Sequence, residues 1–386
     1  MTSPKQLFSR FALIGPDLRL EENVCVTIEY GKIAKIEINA AKSNIEKEYT
    51  FPHHLLLPKF INSHTHIGDA ALKDQAFEMS LNQAVGTAGH KYQIKNLTKN
   101  QRIMAMRLSM IEMIENGISA FYDFREDGLS GIRELKKAAT NLPIELHILG
   151  RPNKTTDLDS ILDNCDGLGL ATPLILSKED MIQTRKIISL RKAVIATHIG
   201  EEPQVIEEAL AKYGLSDLQL ALKYLDPNIL IHLTVLKEKD LKDIPSSKFI
   251  VFCPRSNAYF GLGFPPVNYF LDKKQLVGLG TDNVMITPPN LLEELRWLIL
   301  RLKEQKILVT PSQALRFITT NPSKALKLST GCIKKGFWAD LLMLDLKSCR
   351  TSFGKDPILT LLFRSHIQSD CDLNLFHGEI ISNDFN

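Results

Sequence analysis

The sequence of 386 residues lacks the features that would place it in several specialised classes of protein. No run of about 18 uncharged apolar residues is present, so we expect no membrane span. No block of Lys or Arg stands out, and the formal net charge is only +3. The charge pattern therefore does not indicate a surface that binds nucleic acid. The N-terminal stretch MTSPKQLFSRFALIG has no long apolar core, so no signal peptide is expected. We therefore predict neither nucleic acid nor a membrane as a partner.

Two further motifs are missing. The six cysteines are scattered and form no C-x-x-C pair, which is typical of reduced thiols in a cytoplasmic protein. No G-x-G-x-x-G follows the first strand of the central segment, which disfavours a dinucleotide-binding fold. The composition, with 44% hydrophobic and 24% charged residues, is ordinary for a globular protein. The length fits one barrel-sized domain with a smaller appendage.

Both ends of the chain contain short β-like segments. NVCVTIEYGKIAKIEI alternates apolar and polar residues, with Gly31 at a hairpin turn. GCIKKGFWADLLMLDL and LNLFHGEIIS give a similar pattern near the C-terminus. We therefore predict a small β-sandwich domain formed from residues 1–57 and 331–386, with a separate domain over residues 58–330.

The middle of the chain alternates short apolar strands with helical patterns. One helical stretch, TKNQRIMAMRLSMIEMIENG, begins at a capping Thr98 and stops at Gly117. Eight strands in this alternation predict an α/β fold, a (β/α)₈ TIM-type barrel, with an open doubly wound sheet as the alternative. The eight predicted strands are Leu55–Ser63, Ile118–Phe124, Ile144–Leu149, Gly167–Thr172, Val194–His198, Ile229–His232, Phe249–Cys253 and Leu276–Thr281.

Histidines and acids lie at the ends of four of these strands, and the carboxyl ends of barrel strands carry the chemistry of such folds. The first strand ends in INSHTHIGD, the fifth in ATHIGEEP, the sixth in LIHLTVL and the eighth in GLGTDN. The side chains in question are His64, His66, His198, Glu201, His232 and Asp282.

This set of side chains suits one divalent metal ion. Imidazole nitrogens and a carboxylate are the ligands that zinc prefers at a catalytic site, which also keeps one position for water. The two histidines of an H-x-H pair on a strand face the same side. Taken singly, His198 or His232 could be a core histidine, Asp282 a helix N-cap, and Glu201 an acid in a first helical turn. Their order along the chain favours a metal site.

These segments resemble the amidohydrolase superfamily over nearly the whole chain. LLPKFINSHTHIGD is similar to the family's first strand, and THIGEE, LIHLTVL, VFCPRSNAYFGLGFPPV and VGLGTDN are similar to strands five to eight. GCIKKGFWADLLMLDL resembles the return strand of the appended sandwich. The fourth strand, GLGLATPLI, carries no lysine that could bridge two metals. The resemblance is therefore to mononuclear members, among them cytosine, guanine, S-adenosylhomocysteine and aminodeoxyfutalosine deaminases and triazine hydrolases.

The resemblance implies one divalent metal ion, zinc or else iron, with His64, His66, His198 and Asp282 as its ligands. It also implies that Glu201 protonates a ring nitrogen of the substrate. His232 would orient the water, and Asp282 would help to take a proton from it. The expected reaction is hydrolytic deamination of an aminated N-heterocycle or nucleoside through a metal-activated hydroxide.

Two alternatives stay open at this point. The same residues serve the cleavage of a cyclic amide or a C–Cl bond, as in imidazolonepropionase-like proteins and triazine chlorohydrolases. A non-catalytic binding protein on an inherited barrel would show decayed ligands, whereas all six residues are intact here.

The substrate contacts are the least determined part of the prediction. The polar side chains that follow strands two, three and seven are Arg125, Glu126, Arg151, Arg255, Ser256 and Asn257. The long segment Asp69–Lys95, with Gly86 and Gly89, could act as a lid. The expected partner is a small heterocyclic substrate, and the sequence leaves the oligomeric state open between a monomer and a homodimer.

Overall fold

A computed structural model describes residues 5–41, 49–152, 158–271, 273 and 275–381 of the protein. Parts of the two predicted terminal segments, residues 1–4, 42–48 and 382–386, lie outside the described residues. The strands of the described part, numbered in chain order, are β1 (Lys5–Ile14), β2 (Arg19–Glu29), β3 (Lys32–Glu37), β4 (Thr50–Pro58), β5 (Phe60–His66), β6 (Ile118–Arg125), β7 (Glu145–Gly150), β8 (Gly167–Leu170), β9 (Val194–Ile199), β10 (Ile229–His232), β11 (Phe249–Phe252), β12 (Val277–Leu279), β13 (Asp282–Asn283), β14 (Leu341–Asp345), β15 (Cys371–Phe376) and β16 (Glu379–Ile380).

The α-helices are α1 (Leu81–Val85), α2 (Lys99–Glu115), α3 (Gly128–Ala138), α4 (Leu158–Leu162), α5 (Lys178–Arg191), α6 (Pro203–Tyr213), α7 (Asp217–Leu220), α8 (Glu238–Leu241), α9 (Pro254–Tyr259), α10 (Val267–Leu271), α11 (Leu291–Glu304), α12 (Pro311–Arg316), α13 (Thr320–Ala325), α14 (Pro357–Arg364) and α15 (Ile367–Asp370). Short 3₁₀ helices cover Ile67–Leu72, His90–Asn96 and Pro173–Ile175, and a π-helical turn covers Ala221–Leu225. As predicted, Thr98 caps α2: its side chain accepts a hydrogen bond from the Gln101 N–H, while the Gln101 side chain reaches back to Thr98.

The two ends of the chain meet in one seven-stranded sheet with the order β16-β15-β14-β4-β1-β2-β3. All its neighbours pair antiparallel except β1 and β4, which run parallel. The hairpin between β2 and β3 turns at Tyr30 and Gly31, whose φ angles are 52° and 75°. A side chain at Gly31 would begin 2.5 Å from the carbonyl oxygen of His377, so glycine is required there. The predicted small domain built from both termini is therefore confirmed, and its boundaries at residues 57 and 331 stay a prediction.

The central segment forms a parallel sheet with the order β12-β11-β10-β9-β8-β7-β6-β5-β13. Seven of the predicted strands agree with it to within a few residues, but the prediction of one strand over Leu55–Ser63 is wrong. Leu55–Pro58 closes β4 of the terminal sheet, and the barrel begins only at Phe60. The end of β4 and the start of β5 are both buried, so the apolar run LLLPKFI continues from one sheet into the other. The sequence therefore shows no signal at the point where the first strand ends and the second begins.

The sheet closes on itself because β12, which matches the predicted eighth strand, is followed after a break of two residues by the short strand β13. β13 pairs with the end of β5, where Asp282 lies opposite Thr65 and Asn283 opposite His66. At the break, a side chain at Gly280 would begin 2.6 Å from the Cβ of His64, so glycine allows the two backbones to approach. The closure places Asp282 beside the two histidines of the first barrel strand.

Asn62 joins the two sides of this closure. Its side chain is fully buried, donates to the Thr281 hydroxyl at 2.8 Å, and accepts from the Thr281 N–H at 3.1 Å. Replacing Asn62 with Leu is expected to lower the free energy of unfolding by about 2–4 kcal/mol, because it leaves two buried polar groups of Thr281 unpaired. Denaturant unfolding measures this, with the exposed Asn100→Leu as the control, and equal losses in both variants would contradict the role of Asn62.

Two expectations about the environment of the chain can be checked directly. Within the described residues, no helix is long and apolar enough to cross a membrane. All six cysteines fall in the described part of the chain, and each is a free thiol.

Candidate active site

The carboxyl edge of the barrel brings the predicted metal ligands together. His64 and His66 end β5, His198 lies near the end of β9, and Asp282 begins β13. One ligand atom from each of these four residues lies within 4.8 Å of every other, a spacing that can hold a metal ion. Residues that are 218 positions apart in the chain, from 64 to 282, thus form one cluster.

The distances within this cluster are short. The Nε2 atoms of His66 and His198 are 3.2 Å apart. The Oδ1 atom of Asp282 lies 3.3 Å from Nε2 of His64 and 3.7 Å from Nε2 of His66. Two imidazole nitrogens therefore lie within 3.7 Å of one carboxylate oxygen, and a third lies 3.2 Å from one of them. Three imidazoles and one carboxylate are the donor set of a divalent transition metal.

The hydrogen bonding of His198 and His64 shows which ring nitrogens are available to bind an ion. Nδ1 of His198 donates to the carbonyl oxygen of Leu170 at 2.9 Å, so its Nε2 carries the lone pair that faces His66. Neither ring nitrogen of the fully buried His64 has a hydrogen-bond partner among the described residues. Buried polar atoms are nearly always satisfied. A cation in the cluster would satisfy Nε2 of His64, the nitrogen that faces Asp282, so the residues present fit a metal ion.

The charges of the cluster favour metal binding as well. Burial lowers the pKa of His64 and lowers those of His66 and His198 further, so the imidazoles are neutral and able to ligate at neutral pH. Burial alone would raise the pKa of Asp282, but the neighbouring imidazoles, His64 first, hold it well below its ordinary value. The cluster therefore presents one full negative charge and three neutral donors.

Glu201 and His232 lie next to this cluster. Oε1 of Glu201 is 3.5 Å from Nε2 of His232. Nδ1 of His232 donates to Oδ1 of Asn257 at 3.1 Å, and Nδ2 of Asn257 donates to the Thr234 hydroxyl at 2.7 Å, which fixes the direction of the amide. The Nε2 atom of His232 is thereby turned toward Glu201. Burial raises the pKa of Glu201 to about 7, so this carboxyl can hold or release a proton at neutral pH.

The backbone is strained at two of these positions. His232 has a φ of 75° and Asp282 has a φ of 57°, in the left-handed region that side chains with a Cβ rarely adopt. Such conformations cost about 1–3 kcal/mol each and occur where function fixes the direction of a side chain. Here His232 ends β10 and Asp282 begins β13, and the positive φ at each directs its side chain toward the site.

Two side chains of helix α9 form hydrogen bonds to the two strained residues, His232 and Asp282. The Ser256 hydroxyl donates to Oδ2 of Asp282 at 2.6 Å, and Asn257 receives the hydrogen bond from His232 described above. The sequence predicts that Ser256 and Asn257 contact the substrate. The structure instead buries both and commits their polar atoms to Asp282 and His232, so we interpret them as positioning residues.

Two of the predicted arginines also point away from the cluster. Arg255 forms ion pairs with Glu293 at 3.2 Å and Glu294 at 3.6 Å on α11. Arg125 is buried against Gly68, with Nη1 at 3.7 Å from the sulfur of Met106. Within the described residues, neither arginine lines the cavity above the cluster. The prediction that they contact substrate therefore loses its geometric support, because each is used in packing.

A cavity of about 460 Å³ opens above the cluster. Its floor is formed by His66, His198, Glu201 and Asp282, and its wall includes the predicted Glu126 and Arg151. The volume lies within the range of about 300–1,000 Å³ that is usual for small-molecule sites. The cavity therefore has room for a heterocycle with a substituent.

The segment Asp69–Lys95 covers one side of this cavity. It contributes Leu81, Val85, Lys91 and Tyr92 to the wall. Lys91 has no signal in the sequence, because the 3₁₀ helix His90–Asn96 carries no motif and only the fold brings it over the barrel. The role of the segment as a lid stays a prediction.

Removing the hydroxyl of Ser256 tests the support of Asp282. The Ser256→Ala variant is expected to bind its metal about 10- to 100-fold more weakly, because hydrogen bonds to a ligating carboxylate orient it toward the ion. Competition with a chelator of known affinity measures this, and Ser130→Ala, at an exposed position on α3, is the control. A dissociation constant equal to that of the unmodified protein would contradict the role of Ser256.

A closed α/β barrel with three histidines, one aspartate and a neighbouring glutamate at its carboxyl edge is the architecture of metal-dependent amidohydrolases. The chain belongs to the amidohydrolase family, whose model matches residues 55–374. The resemblance predicted from the strand motifs is therefore confirmed.

Two relatives match nearly the whole chain. An uncharacterised protein of Methanocaldococcus jannaschii is 29% identical over 382 residues, which cover 95% of this chain and 97% of the relative. A 5-methylthioadenosine/S-adenosylhomocysteine deaminase of Pyrococcus horikoshii is 26% identical over 383 residues, which cover 92% of this chain and 89% of the relative.

Two solved structures confirm the predicted fold class. Atrazine chlorohydrolase from Arthrobacter aurescens, complexed with zinc, has a TM-score of 0.82 and 18% identity, covering 97% of this chain and 94% of its own. Guanine deaminase from C. acetobutylicum, with bound guanine, has a TM-score of 0.81 and 15% identity, covering 98% of this chain and 100% of its own.

Proposed function

We propose that this protein is a metal-dependent aminohydrolase that releases ammonia from an aminated N-heterocycle or nucleoside. The observation that carries the proposal is the position of Glu201, whose pKa is raised to about 7, beside the cluster of three histidines and Asp282 on the cavity floor. Such a carboxyl can give a proton to a ring nitrogen at neutral pH. The deaminases among the similar proteins support the same reaction class.

The cofactor that we propose is one divalent zinc ion held by His64, His66, His198 and Asp282. The buried lone pairs and the single carboxylate charge of this set support zinc, which is also bound in the chlorohydrolase structure. When bound, such an ion lowers the pKa of a water molecule from 15.7 toward about 7.

The residues of the chain carry out the proton transfers. Glu201 donates its proton to a ring nitrogen, which makes the carbon that bears the amino group electrophilic. Water adds to this carbon, and Asp282, which is ionised, accepts the water proton. His232, held by Asn257 with Nε2 toward Glu201, orients the oxygen as it adds. The amino group takes up the proton that Asp282 accepted, the C–N bond breaks, and ammonia leaves. The hydroxyl group of the adduct then gives its proton to Glu201 as the carbonyl of the product forms, which restores both carboxyl groups.

A second reaction class has one specific observation in its favour. The chain has the same fold as atrazine chlorohydrolase, and a site of this kind could also cleave a C–Cl bond or a cyclic amide. A screen of the zinc-loaded protein against aminated purines, pyrimidines, pterins, triazines and adenosine-type nucleosides separates the two. Ammonia release from one of these compounds is the expected result. Release of chloride, or ring opening without ammonia, would contradict the proposed deamination.

The cysteines bear on the location of the protein. We propose a cytoplasmic location, which the six free thiols support. The small heterocyclic substrate is the proposed partner.

A further inference from the structure

Three charged side chains meet on one wall of the cavity. Nζ of Lys91 lies 2.8 Å and Nη1 of Arg151 lies 2.6 Å from the same oxygen, Oε1 of Glu126. All three residues line the cavity, and their side chains are 11%, 18% and 21% exposed for Lys91, Arg151 and Glu126. We call these three residues the basic cluster.

The basic cluster carries more positive than negative charge. Two cations share one carboxylate. Burial alone would raise the pKa of Glu126, but Arg151 and then Lys91 hold it at about 2, so the carboxylate is ionised at neutral pH. The net charge is therefore +1. An internal ion pair would need only one of the two cations. Among the described residues, neither cation has an ion-pair partner besides the shared Glu126, so the second is a partly desolvated charge that faces the cavity.

Hydrogen-bond donors are also left over. Lys91 and Arg151 together have eight N–H groups. Three of these N–H groups donate hydrogen bonds to described residues. One from each side chain donates to Glu126, and Nε of Arg151 donates to the carbonyl oxygen of Gly169 at 3.2 Å. The hydrogen bond to Gly169 at the end of β8 and the pairing with Glu126 fix the guanidinium in place. Its remaining N–H groups can form the paired hydrogen bonds that a carboxylate or phosphate accepts.

Another part of the cavity wall carries acids that have no role in the proposed metal site or proton transfer. These are Glu202 and Glu208, which follow β9. A negatively charged group on a ligand is repelled by these two acids and attracted by the basic cluster. The division of charge would therefore orient a ligand, with its acidic substituent at the basic cluster and its amino-bearing ring at Glu201.

We infer that Lys91 and Arg151, held by Glu126, bind an acidic substituent of the substrate, so that the substrate is an aminated heterocycle or nucleoside carrying a carboxylate or a phosphate. This inference rests on the proposed deamination and narrows its substrate class. Lys91 is its specificity-determining residue, because it supplies the charge in excess over the Arg151–Glu126 pair.

The test uses pairs of compounds that differ only in the acidic group. Adenosine is compared with adenosine-5′-carboxylic acid and with adenosine 5′-monophosphate, and aminopurines, aminopyrimidines and pterins are compared with their carboxylate derivatives. Calorimetry on the zinc-loaded protein measures binding, and ammonia release measures kcat and KM separately. The carboxylate and phosphate members of the set show which of the two anions the site prefers.

We expect the acidic member of a pair to bind at least about 10-fold more tightly than the neutral one. In the Lys91→Met variant, KM and the dissociation constant for the acidic compound should rise about 10- to 100-fold, with little change in kcat and none for the neutral compound. Lys95→Met is the matched control, since Lys95 is an exposed lysine on the same 3₁₀ helix and does not line the cavity.

The possible results separate the two proposals. Equal binding of acidic and neutral compounds, or no binding of either in any pair, overturns the inference about the basic cluster. Turnover of a neutral compound with no gain from the acidic group overturns it too, while the proposed deamination stands. Tight, Lys91-dependent binding of an acidic compound without ammonia release from any compound supports the subsite and contradicts the deamination.

Discussion

Replacing Glu201 with Gln is expected to lower kcat for ammonia release by about 10²–10⁴-fold while the metal content of the protein stays unchanged. Gln has the same size and shape but cannot give a proton to a ring nitrogen. Glu201 is not one of the four predicted ligands, so the substitution leaves the proposed ligand set unchanged. Steady-state ammonia release and elemental analysis of the same preparation measure the two quantities.

The neighbouring Glu202 provides the control for this experiment. It also lines the cavity and has the same carboxyl side chain, yet among the described residues the ion pair with His232 is formed by Glu201. The Glu202→Gln variant should therefore keep its turnover to within a few-fold. Equal losses in both variants would indicate a general effect of charge, and unchanged turnover in Glu201→Gln would remove Glu201 from the mechanism.

Replacing His66 with Ala is expected to abolish both metal binding and activity. The substitution removes one of four donors, and loss of a direct ligand should weaken metal binding by more than the roughly 10- to 100-fold that follows loss of an outer partner. His66 is the most exposed histidine of the cluster, with 15% of its side chain accessible, so the fold should tolerate the change. Elemental analysis after dialysis measures the metal, and circular dichroism verifies the fold.

His90 is the matched control for this variant. It lies on the segment that covers the cavity, and its Nε2 contacts Oε1 of Gln75 at 2.9 Å rather than the cluster. His90→Ala should keep a full complement of metal. Full occupancy in His66→Ala would show that His66 is not a ligand.

The strand pattern of the barrel and the residues at its edge can be predicted from the sequence, since both depend on local signals. Short apolar runs followed by amphipathic helices mark parallel strands, and such strands end at a common edge. For that reason the sequence alone predicts that His64, His198 and Asp282 lie close together at this edge. The break between β4 and β5 at Lys59 cannot be predicted in this way, because both strands are buried there and their residues form one continuous apolar run.

The partners of the edge residues are beyond the reach of sequence patterns. Ser256 and Asn257 follow a strand as substrate contacts do, and only the three-dimensional arrangement shows that they hold Asp282 and His232. Lys91 lies on a segment with no periodic signal, and its pairing with Glu126 spans 35 positions. Hydrogen bonds over such separations depend on how loops fold over the barrel, which local propensity does not encode.

The strained backbone at His232 and Asp282 links the fold to the site. Each residue adopts a positive φ at a strand terminus, His232 at the end of β10 and Asp282 at the start of β13, and each is held there by a side chain from α9. The barrel therefore bears a cost in stability at the two positions where the direction of a side chain matters most for the proposed chemistry.

The central claim is that His64, His66, His198 and Asp282 hold a single metal ion. Diffraction from crystals of the zinc-loaded protein, recorded on both sides of the zinc absorption edge, tests it most directly. The account predicts one anomalous peak per chain, bonded to Nε2 of the three histidines and to the Asp282 carboxylate at about 2.0–2.2 Å. A peak elsewhere, or two peaks sharing the cluster, would contradict it.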